Sequence, residues 1–506
     1  MALDIGVVLG NVFSIQTILL MIFGVIIGII IGALPGLSST MGVALFIPVT
    51  YAMDPGTGLA FLSAIYMAST YGGSISAILI CTPGTPAAII TAMDGYELTK
   101  QGRSGEALSM ATIASFFGGI ISVVALMLIA PPLSKLVIEF GSAEMFLLAV
   151  LGLTIIVSLS QGSMVKGLIV GLTGVLLATV GTDTLTGAYR FTFDKMELFG
   201  GMPVVPTVIG AYSASQVFAL AVQKRSTIQY DSEDNVKKTY NIVSVKEIIK
   251  NGFNIVRSGI IGTIVGIVPG AGMSIASALA YNTTKNTSKK PGLFGKGSLE
   301  GLAASEAANN GVVGGSLVPL LTLGIPGNSV SAVFLGGLII HGLRPGPSLF
   351  TKYANISYTL FIGLLVSTVL MMIAGLVGAK YFGKIATVPT NVIAPVIMSL
   401  CVIGSYAIRN NIFDVQVMFA FGLIGYAMSR LKFFSAPLVL GLILGPIAES
   451  EFRRAMMISN GDVSAILASG ISKFLFLLII GFLVYPFIQE KVKEFREKKE
   501  EPVVEN

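Results

Sequence analysis

The chain has 506 residues, of which 54% are hydrophobic and 11% are charged, and its mean hydropathy is +0.85. This composition excludes a soluble globular domain. The net charge of +6, the single histidine and the two cysteines, Cys81 and Cys401, indicate neither nucleic-acid binding nor a histidine-rich metal site nor a disulfide framework.

The apolar segments predict an all-α polytopic membrane protein with about 11 or 12 membrane segments, since about 20 apolar residues cross a bilayer. Residues 15–34, 356–378 and 474–488 are long runs without charge. The N-terminus carries Asp4 and no basic region, so we interpret the first segment as retained rather than as a cleaved signal peptide.

A duplication dominates the pattern. Residues 24–36 align without a gap with residues 258–270, at an offset of 234 (Pro35 to Pro269). Each copy is followed by a second Pro-Gly break, at 81–86 and 324–329, with an offset of 243 (Pro83 to Pro326). Paired helix-breakers in an internal repeat are typical of secondary transporters. The glycines at every fourth position are interpreted as helix packing.

Charge bias predicts the topology. Lysine and arginine are concentrated in the loop 223–257 and the tail 490–506, whereas the first fourteen residues have none. The positive-inside rule then places the N-terminus outside and the loop and C-terminus in the cytoplasm. An odd number of crossings before the loop makes the repeats inverted. The expected organisation is a first repeat at 1–222, the basic loop at 223–257, a second repeat with extra helices at 258–489, and the tail.

One basic segment conflicts with a single crossing at 258–282. The loop 283–297 carries four lysines, and such a crossing places it outside. A re-entrant hairpin turning at Pro269-Gly270 is one solution, since arms of about 11 residues reach only about 17 Å. A basic outer loop that docks a partner is the other, and both stay open.

The Pro-Gly breaks are the candidate transport site. Proline lacks an N–H and glycine tolerates non-helical backbone, so each break frees polar backbone groups that are tolerated at membrane depth only beside protein or a water-filled cavity. The neighbouring hydroxyl and amide groups suit a carboxylate or Na⁺. The predicted substrate-binding residues are Ser38, Ser39, Thr82, Pro83, Gly84, Thr85, Pro326, Gly327, Asn328 and Ser329, and the predicted helix breaks are Pro35, Gly36, Pro269 and Gly270.

Four residues are candidates for ion coupling: Glu306, Asn309, Asn310 and Ser274. A carboxylate within the membrane is expensive and indicates function. Glu306 has an equal alternative as the solvated first turn of a helix. Asp94 and His341 are expected to mark membrane exits, and the charges at 449–454 are expected to form a solvated loop. No metal other than Na⁺ is expected.

The motifs together resemble a known family. Residues 32–36 (GALPG), 71–74 (YGGS), 82–85 (TPGT), 94–96 (DGY) with 105–107 (GEA), and 306–310 (EAANN) through 323–327 (LGIPG) resemble the large membrane subunit of tripartite tricarboxylate transporters. The resemblance extends over nearly the whole chain, from about residue 10 to residue 490.

This resemblance implies a bacterial inner-membrane importer of tricarboxylates or related carboxylates. It implies two partners, a small membrane subunit and a periplasmic solute-binding protein, and a homodimer is a further expectation. Uptake is expected to use a Na⁺ or H⁺ gradient, without an organic cofactor; the chain also has no Walker A phosphate-binding motif. The alternatives are a passive channel and an integral-membrane enzyme; an enzyme is not expected, because the apolar spans carry no catalytic cluster.

Overall fold

The computed structural model describes residues 3–158, 164–183, 185–222, 241–385 and 390–484. The described chain is almost entirely helical, with one short antiparallel pair of strands. The expected charged tail and the first part of the expected basic loop, residues 223–240, lie outside the described residues.

The described helices are numbered in chain order. They are α1 (Ile5–Val12), α2 (Ile15–Ala33), α3 (Ser39–Thr50), α4 (Pro55–Ile80), α5 (Ala88–Lys100), α6 (Ser104–Val137), α7 (Ser142–Ser158), α8 (Met164–Ala178), α9 (Val204–Val222, with a π-helical turn), α10 (Val245–Ile267), α11 (Gly272–Thr287), α12 (Leu299–Leu323), α13 (Ser329–Ile340), α14 (Ala354–Ile385), α15 (Thr390–Arg409), α16 (Ile412–Arg430), α17 (Ala436–Ile458) and α18 (Gly470–Val484). The strands are β1 (Gly181–Thr182) and β2 (Tyr189–Arg190).

Twelve of the described helices are apolar enough to lie in a membrane. Seven (α2, α4, α6, α9, α14, α15 and α16) are long enough to cross it, and five (α3, α7, α8, α13 and α18) are shorter. The seven long apolar helices confirm an all-α polytopic membrane protein, and the count of 11 or 12 membrane segments stays a prediction.

Local sequence fixes several helix starts. Ser14 caps α2 by accepting a hydrogen bond from the N–H of Thr17, and Ser244 caps α10 in the same way. Before α4, Asp54 accepts from the N–H groups of Gly56 and Thr57, while Pro55 occupies the first helical position. These residues satisfy N–H groups that the first turn leaves without helical partners.

The chain packs into two compact units. The first contains Met1–Ile138 and Pro203–Ala427, and the second contains Glu139–Met202 and Met428–Asn506. The first unit carries both copies of the repeat and all four Pro-Gly breaks. The second is built on α7, α8, α17 and α18. The division into two repeats, a cytoplasmic loop and a tail stays a prediction.

The first unit has the helix order and packing of a duplication. Helices α2 to α6 correspond in order to α10 to α14. Exchanging the two sets reproduces the contacts: α2 packs on α4 and α10 on α12, α14 on α4 and α6 on α12, and α3 on α13 and α11 on α5. The last helix of each set therefore packs on the central helix of the other, as in a pseudo-two-fold arrangement.

The glycine repeat lies in the contact between the first and central helices of each half. A Cβ at Gly28 would lie 2.8 Å from the carbonyl oxygen of Ile65, and one at Gly262 would lie 2.2 Å from that of Ala308. The two contacts are equivalent by the repeat offsets. They confirm that these glycines allow close helix packing.

Two expectations about the middle of the chain are wrong. Helix α10 begins at Val245, so the last part of the expected loop 223–257 is helical. The arm before Pro269-Gly270 therefore has 23 residues, not about 11, and at 1.5 Å per residue it is about 35 Å long. The shortness that favoured a re-entrant hairpin does not apply to this arm.

Candidate functional site

The second breaks of the two halves begin in the same way. Cys81 follows α4 and Gly324 follows α12, and both have left-handed backbone, with φ of 53° and 75°. They are equivalent by the offset of 243. Glycine adopts this conformation without a steric penalty, whereas cysteine does so with strain. Short helices α5 and α13 follow, with 13 and 12 residues.

The first breaks are full interruptions between consecutive helices. Gly36 lies between α2 and α3, and Gly270 lies between α10 and α11; their φ values are 86° and 83°. Each break leaves the carbonyl end of one helix beside the N–H end of the next. Carbonyl ends favour cations and N–H ends favour anions.

Within each half, the two breaks contact one another. A Cβ at Gly84 would lie only 1.9 Å from the carbonyl oxygen of Gly32, and one at Gly327 would lie 2.5 Å from that of Gly266. The N–H of Gly270 also donates to the carbonyl oxygen of Gly327 at 2.8 Å. Each second break therefore rests on the end of the helix that precedes the first break.

Helix α4 carries contacts from both second breaks. The Asn328 Nδ2 donates to the Tyr66 hydroxyl at 2.8 Å, and the N–H of Gly84 donates to the carbonyl oxygen of Gly73 at 3.4 Å. Tyr66 and Gly73 are seven residues apart, or about 10 Å along the helix axis. The fold thus brings both breaks to one central helix, about two turns apart.

Glu306 is fully buried among hydroxyl groups. It is 0% exposed, accepts a hydrogen bond from the Thr91 hydroxyl and another from Ser115 Oγ at 3.1 Å. The carboxylate thereby joins α5, α6 and α12. No ion pair involves Glu306 within the described part of the chain. The alternative of a solvated first helical turn is therefore wrong.

The two asparagines after Glu306 connect the central helices. Asn309 Nδ2 donates to the carbonyl oxygen of Thr70 and Asn310 Nδ2 to that of Met67, both at 3.2 Å. Both amides are 0% exposed, and both Oδ1 atoms are without a hydrogen-bond partner. A polar layer is thus buried between α4 and α12.

The other predicted residues lie at the breaks and differ in their hydrogen bonds and in their burial. Ser38 caps α3, and Asn328 forms a capping box with Ser331. Thr82 Oγ1 donates to the carbonyl oxygen of Ile80 at 3.2 Å. The buried residues are Ser39, Gly84, Thr85, Pro326 and Gly327; those partly buried are Pro35, Pro83, Pro269, Gly270 and Ser274; and those exposed are Gly36 and Ser329.

Asp94 lies fully buried in α5, an environment that the expectation of a membrane exit did not include. Its Oδ1 accepts hydrogen bonds from the N–H groups of Gly295, Gly297 and Ser298 at 2.8 to 3.0 Å, and its Oδ2 accepts from the Tyr281 hydroxyl at 2.8 Å. Asp94 therefore fixes the loop before α12 to the short helix of the other half.

The second unit is held by ion pairs and has no comparable polar site in its described residues. Arg453 pairs with Asp183 at 2.6 Å, and Arg190 with Glu449 at 2.6 Å. The Arg453 guanidinium holds the pKa of Asp183 well below its usual value, with help from backbone N–H donors. Glu449 and Arg453 lie in helix α17, so the expected solvated loop is wrong. A cavity of about 500 Å³ in this unit has an almost wholly apolar lining.

Paired helix breaks around a buried polar layer, in a polytopic helical membrane protein, are typical of membrane transporters. The sequence comparisons agree with this class. Residues 18–440 match the model of the tripartite tricarboxylate transporter TctA family, and the chain belongs to that family.

Two relatives come from Agrobacterium vitis. An uncharacterized 52.8 kDa protein in the TAR-I ttuC' 3' region is 37% identical over 472 residues, which cover 92% of this chain and 93% of the relative. An uncharacterized protein in the TAR-II ttuC' 3' region is 36% identical over 245 residues, covering 48% of this chain and all of the relative. No solved structure matches the chain.

Proposed function

We propose that this chain is the large permease subunit of a binding-protein-dependent secondary transporter that imports tricarboxylates or related carboxylates. The observation that carries the proposal is the pair of second breaks, equivalent by the repeat offset, which both rest on α4. Membership of a tripartite tricarboxylate transporter family supports the substrate class and the presence of further subunits.

The carboxylate binds at the breaks. Helix α11 starts there without a side-chain cap, so its first N–H groups are suited to an anion. The hydroxyl of Ser274 and the amide of Asn328 add neutral donors. A site of this kind binds a carboxylate without burying a fixed positive charge.

A cation gradient, of Na⁺ or H⁺, drives uptake. Glu306 supports this step because its buried carboxylate is surrounded by hydroxyls, and a buried charge without a counter-ion is strongly disfavoured. A bound Na⁺ or a proton neutralises it. Because cation and anion attract one another in one pocket, each raises the affinity of the other, and the coupling is reciprocal.

The remaining parts of the proposal concern the assembly. The chain lies in the bacterial inner membrane with its N-terminus outside and its C-terminus in the cytoplasm, and the repeats are inverted. Its partners are a small membrane subunit and a periplasmic solute-binding protein that delivers the carboxylate. A homodimer of the large subunit completes the proposal.

Uptake into cells that express the complete three-component system tests this function. Radiolabelled di- and tricarboxylates are supplied with Na⁺ replaced by choline, or with a protonophore added, and internal solute is measured. Accumulation above the external concentration that collapses with one of the two gradients supports the carrier. Equilibration without accumulation indicates a channel, and chemical turnover of the solute by the purified chain indicates an enzyme.

A further inference from the structure

Two buried oxygen atoms without a hydrogen-bond partner belong to side chains that contact neighbouring turns of α4. Thr85 is 5% exposed and Asn309 is 0% exposed, and neither Thr85 Oγ1 nor Asn309 Oδ1 has a hydrogen-bond partner. Asn309 Nδ2 donates to the carbonyl oxygen of Thr70 at 3.2 Å. The Thr85 side chain packs directly on Gly73, one turn further along. Residues three apart on a helix share a face.

The equivalent place in the other half is chemically complete. By the offset of 243, Thr85, Asn309 and Gly73 correspond to Asn328, Tyr66 and Ser316. There the Tyr66 hydroxyl is bonded to Asn328 Nδ2 at 2.8 Å and to Ser316 Oγ at 2.9 Å. The second break of the second half thus has a complete hydrogen-bonded cluster. The equivalent place in the first half has smaller side chains and two oxygens without a partner.

Such a pair of oxygens favours an occupant. A buried acceptor without a partner has lost its hydrogen bonds to water and gained none in return, which destabilises the empty site. Three features select a cation. The buried carboxylate of Glu306 lies one helical turn before Asn309, the described residues give it no basic partner, and the carbonyl of Gly32 at the end of α2 is directed at Gly84, next to Thr85.

The donor set also limits which cation fits. A hydroxyl and an amide oxygen are hard neutral ligands, unlike the imidazole and thiolate ligands of most transition metals. Calcium and magnesium sites usually recruit carboxylates directly. A monovalent alkali ion is compatible with neutral oxygens and a single nearby carboxylate.

We propose that Thr85 Oγ1 and Asn309 Oδ1 bind Na⁺ at the first-half break, with Glu306 balancing its charge. This rests on the proposed function and deepens it, because it chooses Na⁺ over H⁺ and assigns one ion to one half only. The ion connects the break between α4 and α5 to the central helix α12. Its binding therefore orders Pro83-Gly84, where the carboxylate is proposed to bind.

Radioactive ²²Na⁺ binding to the purified chain in detergent tests the site directly, without any need for transport. Thr85→Val replaces the hydroxyl by a methyl group of similar size and is expected to weaken Na⁺ binding at least tenfold. Thr85→Ser keeps the hydroxyl and is expected to stay within about threefold of wild type. If T85V does not give a monodisperse peak, Thr85→Ala takes its place.

Thr359→Val is the matched control. Thr359 Oγ1 is also buried without a partner, but it lies near Gly56 at the other end of α4. T359V should bind Na⁺ like wild type. Equal loss in T85V and T359V, or an unchanged affinity in T85V, overturns the site.

The two proposals fail in different ways. If wild type binds no Na⁺ while the complete system accumulates carboxylate on a proton gradient, the Na⁺ site is wrong and the transport function stands. If wild type binds Na⁺ through Thr85 while the complete system accumulates no carboxylate under any gradient, the site stands and the function is wrong.

Discussion

An alanine at Gly84 tests the contact between the two breaks of the first half. Its Cβ would lie 1.9 Å from the carbonyl oxygen of Gly32, whereas at Gly327 the same substitution meets the Gly266 carbonyl at 2.5 Å. Carbon and oxygen atoms contact at about 3.3 Å. The backbone at residue 84 must therefore move about 1.4 Å away from Gly32, and the backbone at residue 327 about 0.8 Å away from Gly266. Both displacements fall on the proposed substrate site.

The expected effect follows from the energy of overpacking, about 1–3 kcal/mol. With about 1.4 kcal/mol for each factor of ten, G84A should reduce carboxylate uptake by a factor between about 5 and about 140. G327A should reduce it less. Initial uptake rates in cells with the complete system, normalised to the amount of large subunit in the membrane, give the comparison.

Gly336→Ala is the control for this experiment. Gly336 lies within α13, where an added Cβ would meet only Ile47 Cδ1 at 3.7 Å, an ordinary contact. G336A should transport like wild type and be at least as stable, because alanine favours helix more than glycine does. Normal uptake by G84A, or equal losses in G84A and G336A, would refute the reasoning.

Three further predictions concern other parts of the molecule. Glu306→Gln keeps the side-chain shape but removes its charge, so the variant should fold and lose cation-driven accumulation; wild-type accumulation would contradict the coupling role. Cys81→Gly should relieve left-handed strain of about 1 kcal/mol and raise the unfolding temperature, whereas a lower one would argue against the conformation. Arg453 lowers the folded-state pKa of Asp183. The ionised Asp183 therefore stabilises the fold fully at any pH above the unfolded-state pKa of an aspartate, about 3.9, and this stabilisation is lost as the pH falls below that value. Asp183→Asn should therefore flatten the fall in unfolding temperature at acid pH, and an unchanged profile would contradict this.

The sequence located the breaks because proline and glycine act locally. Pro83-Gly84 and Pro326-Gly327 interrupt a helix whatever the tertiary contacts around them, and the repeat offset predicted that the two breaks are equivalent. The packing role of Gly28 and Gly262 was likewise readable, since spacing of four residues defines a helix face. These features depend on neighbours within a few positions.

Features that depend on distant partners could not be read. The burial of Asp94 follows from N–H donors about 200 residues away, and nothing near Asp94 in sequence indicates them. The start of α10 was hidden because its first turns carry Lys246, Glu247 and Lys250, which resemble loop residues although the helix is amphipathic. Glu306 was ambiguous until Thr91 and Ser115 were seen around it.

The central claim is that the carboxylate binds at the helix breaks, and Cys81 offers a direct probe of it. Cys81 is exposed at the first-half break, whereas Cys401 is fully buried, so a hydrophilic maleimide should modify Cys81 selectively in the unaltered protein. The measurement is the rate of this modification with and without a carboxylate that the complete system transports.

At ten times its Kd, a bound carboxylate occupies about nine-tenths of the sites. The account predicts that the modification rate of Cys81 then falls several-fold, and that a carboxylate the system does not transport leaves the rate unchanged. An equal rate with and without the transported carboxylate at saturation would contradict a substrate site at the breaks.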